Sequence, residues 1–287
     1  MTEKAFIAIA ETSRFASRFV SGLDSDTDFF LSYGLMLPDI SSYKTVGYWS
    51  AGGYAARLRR IGMAEGFTAP GQAWLSTVDE SLTGREIVTG GVTAMPEGVQ
   101  MWAKPAEAKI DAMIAGRYMA EEVRSICEQE NVPAGTMFQW TETFMSINHE
   151  HRFYVANGRI VTGSPYLIDG TVYHESMSSP FYDEALRAGR NAVTKLGENQ
   201  PAAYTLDMGL DESTGKWIIV EANPAWSSGI YGCDPRIVMD TLYVACNNYE
   251  KKWRWEPAAY LMEKAFAMEP LAIVDPDNCS GVWKYEQ

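Results

Sequence analysis

Tyr204-Thr205-Leu206-Asp207-Met208-Gly209 and, beyond a turn, Trp217-Ile218-Ile219-Val220-Glu221-Ala222-Asn223-Pro224 decide the fold of this chain. Both runs read as strands, joined by the turn Asp211-Glu212-Ser213-Thr214-Gly215. Glu221 and Asn223 stand two apart on one strand, so their side chains point to the same face. If the turn pairs the strands, Asp207 lies beside them. Two carboxylates and one amide carbonyl on one face form a hard-oxygen site suited to Mg²⁺. The competing reading is three polar strand-end residues facing water. The Ile218-Ile219-Val220 run argues against it, because such a strand is buried and its terminal carboxylate needs a partner.

Further candidates lie upstream. Lys104 ends the apolar run Met101-Trp102-Ala103, and Lys109 follows five residues later. A lysine at the end of a buried strand suits an anionic ligand such as phosphate, against the plainer reading of an edge lysine. In His149-Glu150-His151-Arg152, alternation puts Glu150 and Arg152 on one face, where the plain reading is a cross-strand ion pair. Gly52-Gly53 opens a helical stretch holding Arg57, Arg59 and Arg60. The pair is a weak phosphate-cradle signal, since paired glycines mostly make turns, and the arginines read as a solvated helix face.

The remaining elements set the class. Phe6 to Ala10 and Tyr43 to Trp49 read as strands, as do Val99 to Ala103 and Thr136 to Phe144. Arg152 to Ala156 and Arg159 to Tyr166 flank Asn157-Gly158, the strongest short hairpin signal. Helical patterns cover Ala120 to Glu130, Pro180 to Leu196 and Pro235 to Asn247, with Gly197 as a stop signal. Antiparallel hairpins dominate the second half, an α+β pattern rather than an alternating βαβ one.

The chain has 287 residues, 46% hydrophobic and 21% charged, the composition of a globular protein with a sizeable core. A net charge of -13 disfavours nonspecific binding to nucleic acid, without excluding a local basic pocket. Cys127, Cys233, Cys246 and Cys279 lie far apart, with no CxxC, and only three histidines accompany them, so a zinc site is not expected. Reduced thiols, no secretory signal and no apolar run of the ~18 residues a membrane span needs lead to the expectation of a cytoplasmic protein.

A strand lysine, a second lysine, a connecting strand, Glu-x-Arg, then Asp, then Glu-x-Asn-Pro resembles the ATP-grasp superfamily. With Trp226-Ser227-Ser228-Gly229 and Tyr231-Gly232-Cys233-Asp234, the chain looks like the small ATP-grasp proteins of bacterial and phage genomes. The resemblance implies an ATP-grasp fold in which two α+β subdomains grip ATP. A small α/β N-terminal domain (1–95) would precede an ATP-grasp domain (96–250) and a C-terminal extension (251–287). It also implies roles. Lys104 would contact the α/β phosphates, with Lys109 a second phosphate contact. Gln139, Trp140, Thr141 and Glu142 would form the hinge, giving adenine backbone hydrogen bonds, with Trp140 as a platform and Glu142 on the ribose. Arg152 would face the γ-phosphate. Asp207, Glu221 and Asn223 would hold Mg²⁺. No glycine-rich loop of the larger ligases lies between Lys104 and Glu142.

The implied activity is an ATP-dependent, ADP-forming ligase joining a carboxylate to an amine or thiol through an acyl phosphate. The two substrates are left open, as small molecule, peptide or modified base. Rival readings are a phosphotransferase on the same fold and a non-catalytic ATP-binding module.

Overall fold

The computed structural model describes residues 3–9, 13–107, 110–278 and 281–285, without the side chains of 13–15. Its first sheet has the order Val282–Tyr285, Thr27–Ser32, Lys4–Ile9, Thr45–Trp49. Lys4–Ile9 is parallel to both neighbours, with Phe6 beside Phe29 and Gly47. Its Ala-Phe-Ile-Ala-Ile run lacks polar alternation because a central parallel strand is buried on both faces. Helices Gly52–Arg60, Pro235–Cys246 and Ala259–Ala267 contribute Ala55, Leu58, Val238, Leu242 and Ala265 to the core of this unit. Pro235 at the first turn and the Asp234 side chain, which accepts from the Arg236 and Ile237 amides at 2.9 and 3.2 Å, fix where the second of these helices starts.

A second, antiparallel sheet has the order Val88–Gly91, Met137–Thr141, Met101–Pro105, Gly116–Tyr118. Met101, Ala103, Phe138 and Trp140 alternate inward against helix Ala120–Gln129, which buries Ala120 and Val123. The third sheet is also antiparallel, in the order Thr171–Val172, Arg159–Ile168, Ile147–Ala156, Ala203–Asp211, Lys216–Asn223. Its first hairpin turns at Asn157-Gly158, both at positive φ (49° and 70°), as a two-residue type I′ turn demands. One face of this sheet carries Phe153, Val155, Leu206, Met208 and Ile219. Helix Tyr182–Leu196 covers it with Ala185, Ala192, Val193 and Leu196. The polar face is thereby left to the site.

The architecture is α+β. The sheet boundaries differ from those read in the sequence. Val88–Gly91 pairs with Met137–Thr141, so the second sheet begins before residue 95. The C-terminal residues return to the first sheet. Val282–Tyr285 pairs with Thr27–Ser32, and Ala272–Val274 pairs with Met36–Pro38. The added strand covers an otherwise open edge. Among the described residues, no helix is long and apolar enough to cross a membrane. Cys127, Cys233 and Cys246 are free thiols, and Cys279 lies outside the described residues.

Candidate functional site

The ladder of the third sheet sets Asp207 directly between Arg152 on one neighbouring strand and Glu221 on the other. Thr205 pairs with Asn223 two residues along. An irregularity follows Asp207: Met208 pairs with Ile219, leaving Val220 as the extra residue. Such a bulge re-aims the side chains beside it. Asn223 Nδ2 donates to Glu221 Oε1 at 2.7 Å, so the Glu-x-Asn pair does share one face.

Asp207 is fully buried, and Arg152 takes both its oxygens, Nε to Oδ1 at 2.8 Å and Nη2 to Oδ2 at 2.6 Å. Burial, with Glu221 nearby, leaves the Asp207 carboxyl above its usual range although the guanidinium pulls against it, and the Asp207 carboxylate holds Arg152 above its own usual value against the effect of burial. The two charge-assisted bonds hold the pair ionic, with Arg152 always protonated. Arg152 also lies over the rings of Tyr166 and Tyr231, 5.4 and 5.1 Å from their centroids. Those rings stack on each other at 4.7 Å. Tyr231 adopts φ +46°, a left-handed conformation rare for an aromatic residue. Glu150 accepts from the Tyr166 hydroxyl rather than pairing with Arg152. Burial, reinforced by Asp207 and Glu221, raises it to about 7 despite that bond and the nearby guanidinium.

Lys104, from the second sheet, reaches across and ion-pairs with Glu221. Burial pushes the Glu221 carboxyl up, but the ammonium, Asn223 and Arg152 together bring it down to about 2. Lys104, Glu221, Asn223 and Gln139 line one cavity of about 410 Å³, and so do Gly52 and Gly53 at the start of their helix. Gln139 is held there by donating to the Gln72 carbonyl at 3.0 Å.

The expected set thus divides. Lys104, Gln139, Glu221 and Asn223 surround the cavity. Arg152 and Asp207 form a buried ion pair beside it. Trp140 packs into the core of the second sheet, because alternation sends it to the side opposite Gln139. Thr141 is buried and Glu142 exposed, and neither lines the cavity. Lys109 lies outside the described residues. The solvated arginine face is corrected: Arg57 is buried, Arg59 pairs with Glu65 at 2.7 Å, and Arg60 donates to the Ala265 and Met268 carbonyls. Their helix packs against helix Ala259–Ala267, far along the chain. Sequence reasoning missed Tyr166, Tyr231 and Gln72, whose places come from register and loop path rather than from a local motif. Among the described residues, no group of three or more His, Cys, Asp or Glu is arranged to hold a metal ion.

Comparison with known proteins agrees with this geometry. The family model for the ATP-grasp domain, R-two-K clade family 2, matches residues 82–241, more than half the chain. Curated protein sequences give no match. Among solved structures, D-alanine–D-alanine ligase from Coxiella burnetii is similar at 10% identity and TM-score 0.49, covering 84% of this chain and 94% of that one. The enzyme from Bacillus anthracis complexed with ATP is similar at 10% identity and TM-score 0.46, covering 93% and 97%. That from Helicobacter pylori is similar at 11% identity and TM-score 0.46, covering 85% and 98%. These structural likenesses are distant. The family match spans the second and third sheets and with them the Asp207 to Asn223 site, and the chain belongs to the ATP-grasp domains of the R-two-K clade, family 2.

Proposed function

We propose that the protein is an ATP-dependent ligase that joins a carboxylate to an amine or thiol through an acyl phosphate. The observation that carries this reading is the Lys104–Glu221 ion pair at the cavity. One cation and one carboxylate, delivered by two different sheets, meet where a nucleotide's phosphates would lie. Phosphates bound there would compete for the ammonium and leave the carboxylate free for a metal.

Glu221 and Asn223 fit Mg²⁺, for both line the cavity and carry oxygens, and Mg²⁺ is usually held by one or two protein groups plus phosphates and water. Asp207 fits less directly, since Arg152 occupies both its oxygens. Its part is to anchor Arg152 and to add negative charge behind Glu221. When bound, Mg²⁺ supplies charge neutralisation on the phosphates. Lys104 and the amides at Gly52-Gly53 offset the remaining phosphate charge. The Met137–Thr141 strand is paired on both sides, with Val88–Gly91 and Met101–Pro105, so the hinge backbone left for adenine is that just beyond it, at Glu142, and Trp140 supports the strand from the core.

In the first step a carboxylate oxygen bonds to the γ-phosphorus, and the bond to the β-γ bridging oxygen breaks. ADP leaves with the electron pair. In the second, the amine nitrogen bonds to the acyl carbon, inorganic phosphate leaves with the C–O electrons, and the amine gives up a proton. Arg152, fixed by Asp207, balances the anions that meet at the γ-phosphate. Glu150, with its carboxyl at about 7 and on the face of Arg152, suits the proton.

The test is product analysis with hydroxylamine present. A mixture of carboxylic acids, ATP and Mg²⁺ gives ADP, inorganic phosphate and a hydroxamate if an acyl phosphate forms. ADP with a phosphorylated hydroxyl compound indicates a phosphotransferase. Neither product, with ATP still bound, indicates a binding module.

A further inference from the structure

A second cavity, of about 620 Å³, opens where Lys4–Ile9 and Thr45–Trp49 end, with Ile9 and Trp49 in its wall. Open sheets with parallel strands hold ligands in crevices at the carboxyl ends of those strands. Most of this wall is apolar, as Trp49, Leu35, Leu261 and Met268 show. Two cations, Arg57 and Lys264, also line it, and among the described residues no Asp or Glu does. In a chain with 37 acidic against 24 basic residues, a wall with two cations and, among the described residues, no acid departs from the balance of the whole chain, although Lys264 also lies 3.9 Å from Asp111.

Arg57 is the unusual member. It is only 7% exposed, and no carboxylate among the described residues is ion-paired with it. Its Nη2 donates to the Glu269 carbonyl at 2.6 Å, while its Nε is buried without a partner. Ser50, 3% exposed in the same wall, has a buried Oγ that also lacks a partner. A buried guanidinium without a counter-charge and an unused hydroxyl are costly unless a ligand answers them. Arg60 and Arg57 both donate to carbonyls at or just past the end of Ala259–Ala267, and Arg57 lies over the Tyr54 ring, 5.5 Å from its centroid, but these contacts leave the Arg57 Nε and the Ser50 hydroxyl without a partner.

The two cavities adjoin. Ala51, Gly53, Ser227 and Leu261 line both. A molecule seated in the second therefore has its other end at the candidate phosphate site.

We propose that this second cavity holds the ligase's acceptor, an apolar amino acid or a short peptide ending in one. Its carboxylate sits on Arg57 and Ser50, its side chain on Trp49, Leu35 and Met268, and its amine faces the shared wall. This rests on the ligase reading, which supplies the reaction the amine would enter.

The test is binding without ATP, by calorimetry and ligand-observed NMR. The probes are leucine, methionine and phenylalanine in both enantiomers, the alanyl dipeptides ending in them, and the C-terminal amide of each. At least one acid should bind, its amide at least tenfold more weakly. Arg57→Gln should abolish that preference and Arg57→Lys keep part of it. Ser50→Ala, which adds no bulk, should weaken the acid several-fold even if Arg57→Gln does not fold. No acid binding, equal binding of acid and amide, or unchanged affinity in a folded Arg57→Gln overturns the proposal. Stabilisation by ATP and Mg²⁺ is measured on the same protein. ATP binding without acid binding sinks the acceptor site alone, whereas acid binding without ATP binding sinks the ligase reading and leaves the cavity's carboxylate site standing.

Discussion

Lys104 and Glu221 are ion-paired across 117 positions of sequence, one near the end of a strand in the second sheet, the other in the third. Each is partly exposed at the cavity, 17% and 27% by side chain. The pair therefore sits in a setting where ion pairs contribute little to stability, on the order of 0–1 kcal/mol. Its value lies in placement: it holds a cation and a carboxylate at the spot where phosphates and a metal would each take one.

Lys104→Ala should lower ATP affinity at least tenfold, measured by calorimetry with Mg²⁺ present. The mutation also removes the ammonium that helps hold Glu221 at about 2. A depressed carboxyl contributes stability that is present above its unfolded value and lost as pH falls through the folded one. The stability difference between wild type and Lys104→Ala should thus be fullest near neutrality and shrink between about pH 4.5 and 2. Unchanged ATP affinity would remove Lys104 from the site.

Glu221→Gln separates a metal ligand from a structural partner. With Lys104 and Asn223 as its hydrogen-bond partners and part of its surface exposed, the change should cost about 1 kcal/mol or less. Turnover should fall by about a hundredfold or more, because the amide loses the charge a Mg²⁺ site needs. A large drop in melting temperature with ATP turnover intact points to the structural role instead.

Arg152 and Asp207 behave differently because both are buried, at 8% and 0% side-chain exposure. Removing either partner strands a charge, at about 3–5 kcal/mol. Arg152→Lys keeps the charge and loses the fork, so denaturant unfolding should show a smaller loss, about 1–2 kcal/mol. The cycle Arg152→Met with Asp207→Leu should return much of the stability and none of the activity. Additive single losses in that cycle would mean the pair is not coupled.

How far the sequence reached can be judged on particular residues. Strand alternation and one turn brought Asp207, Glu221 and Asn223 onto a shared ladder, and Asn157-Gly158 fixed the hairpin that carries Arg152. These are local signals with a period or a required φ. Trp140 could not be placed, because alternation tells that Gln139 and Trp140 face opposite ways without telling which way is inward. Tyr231 meets Arg152 through a loop path that no periodicity encodes. The return of Val282–Tyr285 to the first sheet is a pairing between the two ends of the chain, and a four-residue strand there carries too little pattern to announce it. Arg57 looked solvated because its helix shows a basic run, and the covering helix Ala259–Ala267 lies about two hundred residues away.

Glu150 gives a pH test. Its carboxyl, ordinarily near 4.5, is raised to about 7 by burial. Between those values the native state keeps a proton that the unfolded chain releases, so this group makes stability fall as pH rises. Glu150→Gln carries no such penalty. Chemical denaturation should therefore show the variant gaining on wild type between about pH 4.5 and 7, by about 2 kcal/mol. If Glu150 is also the proton acceptor, the variant loses ligation and keeps ATP binding. A pH-independent difference in stability means the carboxyl is not raised.

Tyr231 joins a strained backbone to a functional side chain, and the two can be read apart. Its φ of +46° costs an ordinary residue about 1 kcal/mol relative to glycine. Its carbonyl accepts from Arg18 at 2.5 Å, while its ring lies over Arg152 and stacks on Tyr166. Tyr231→Phe keeps the ring and the backbone, so stability and activity should both stay within a few-fold of wild type. Tyr231→Ala and Tyr231→Gly both remove the ring, and both should lose activity as Arg152 loses one of the two faces that position it. They should part in stability, with the glycine variant the more stable by about 1 kcal/mol although it is the smaller side chain, because glycine adopts this φ without a Cβ clash. Equal stability of the two would show that residue 231 bears no strain. Loss of activity in Tyr231→Phe would move the function from the ring to its hydroxyl.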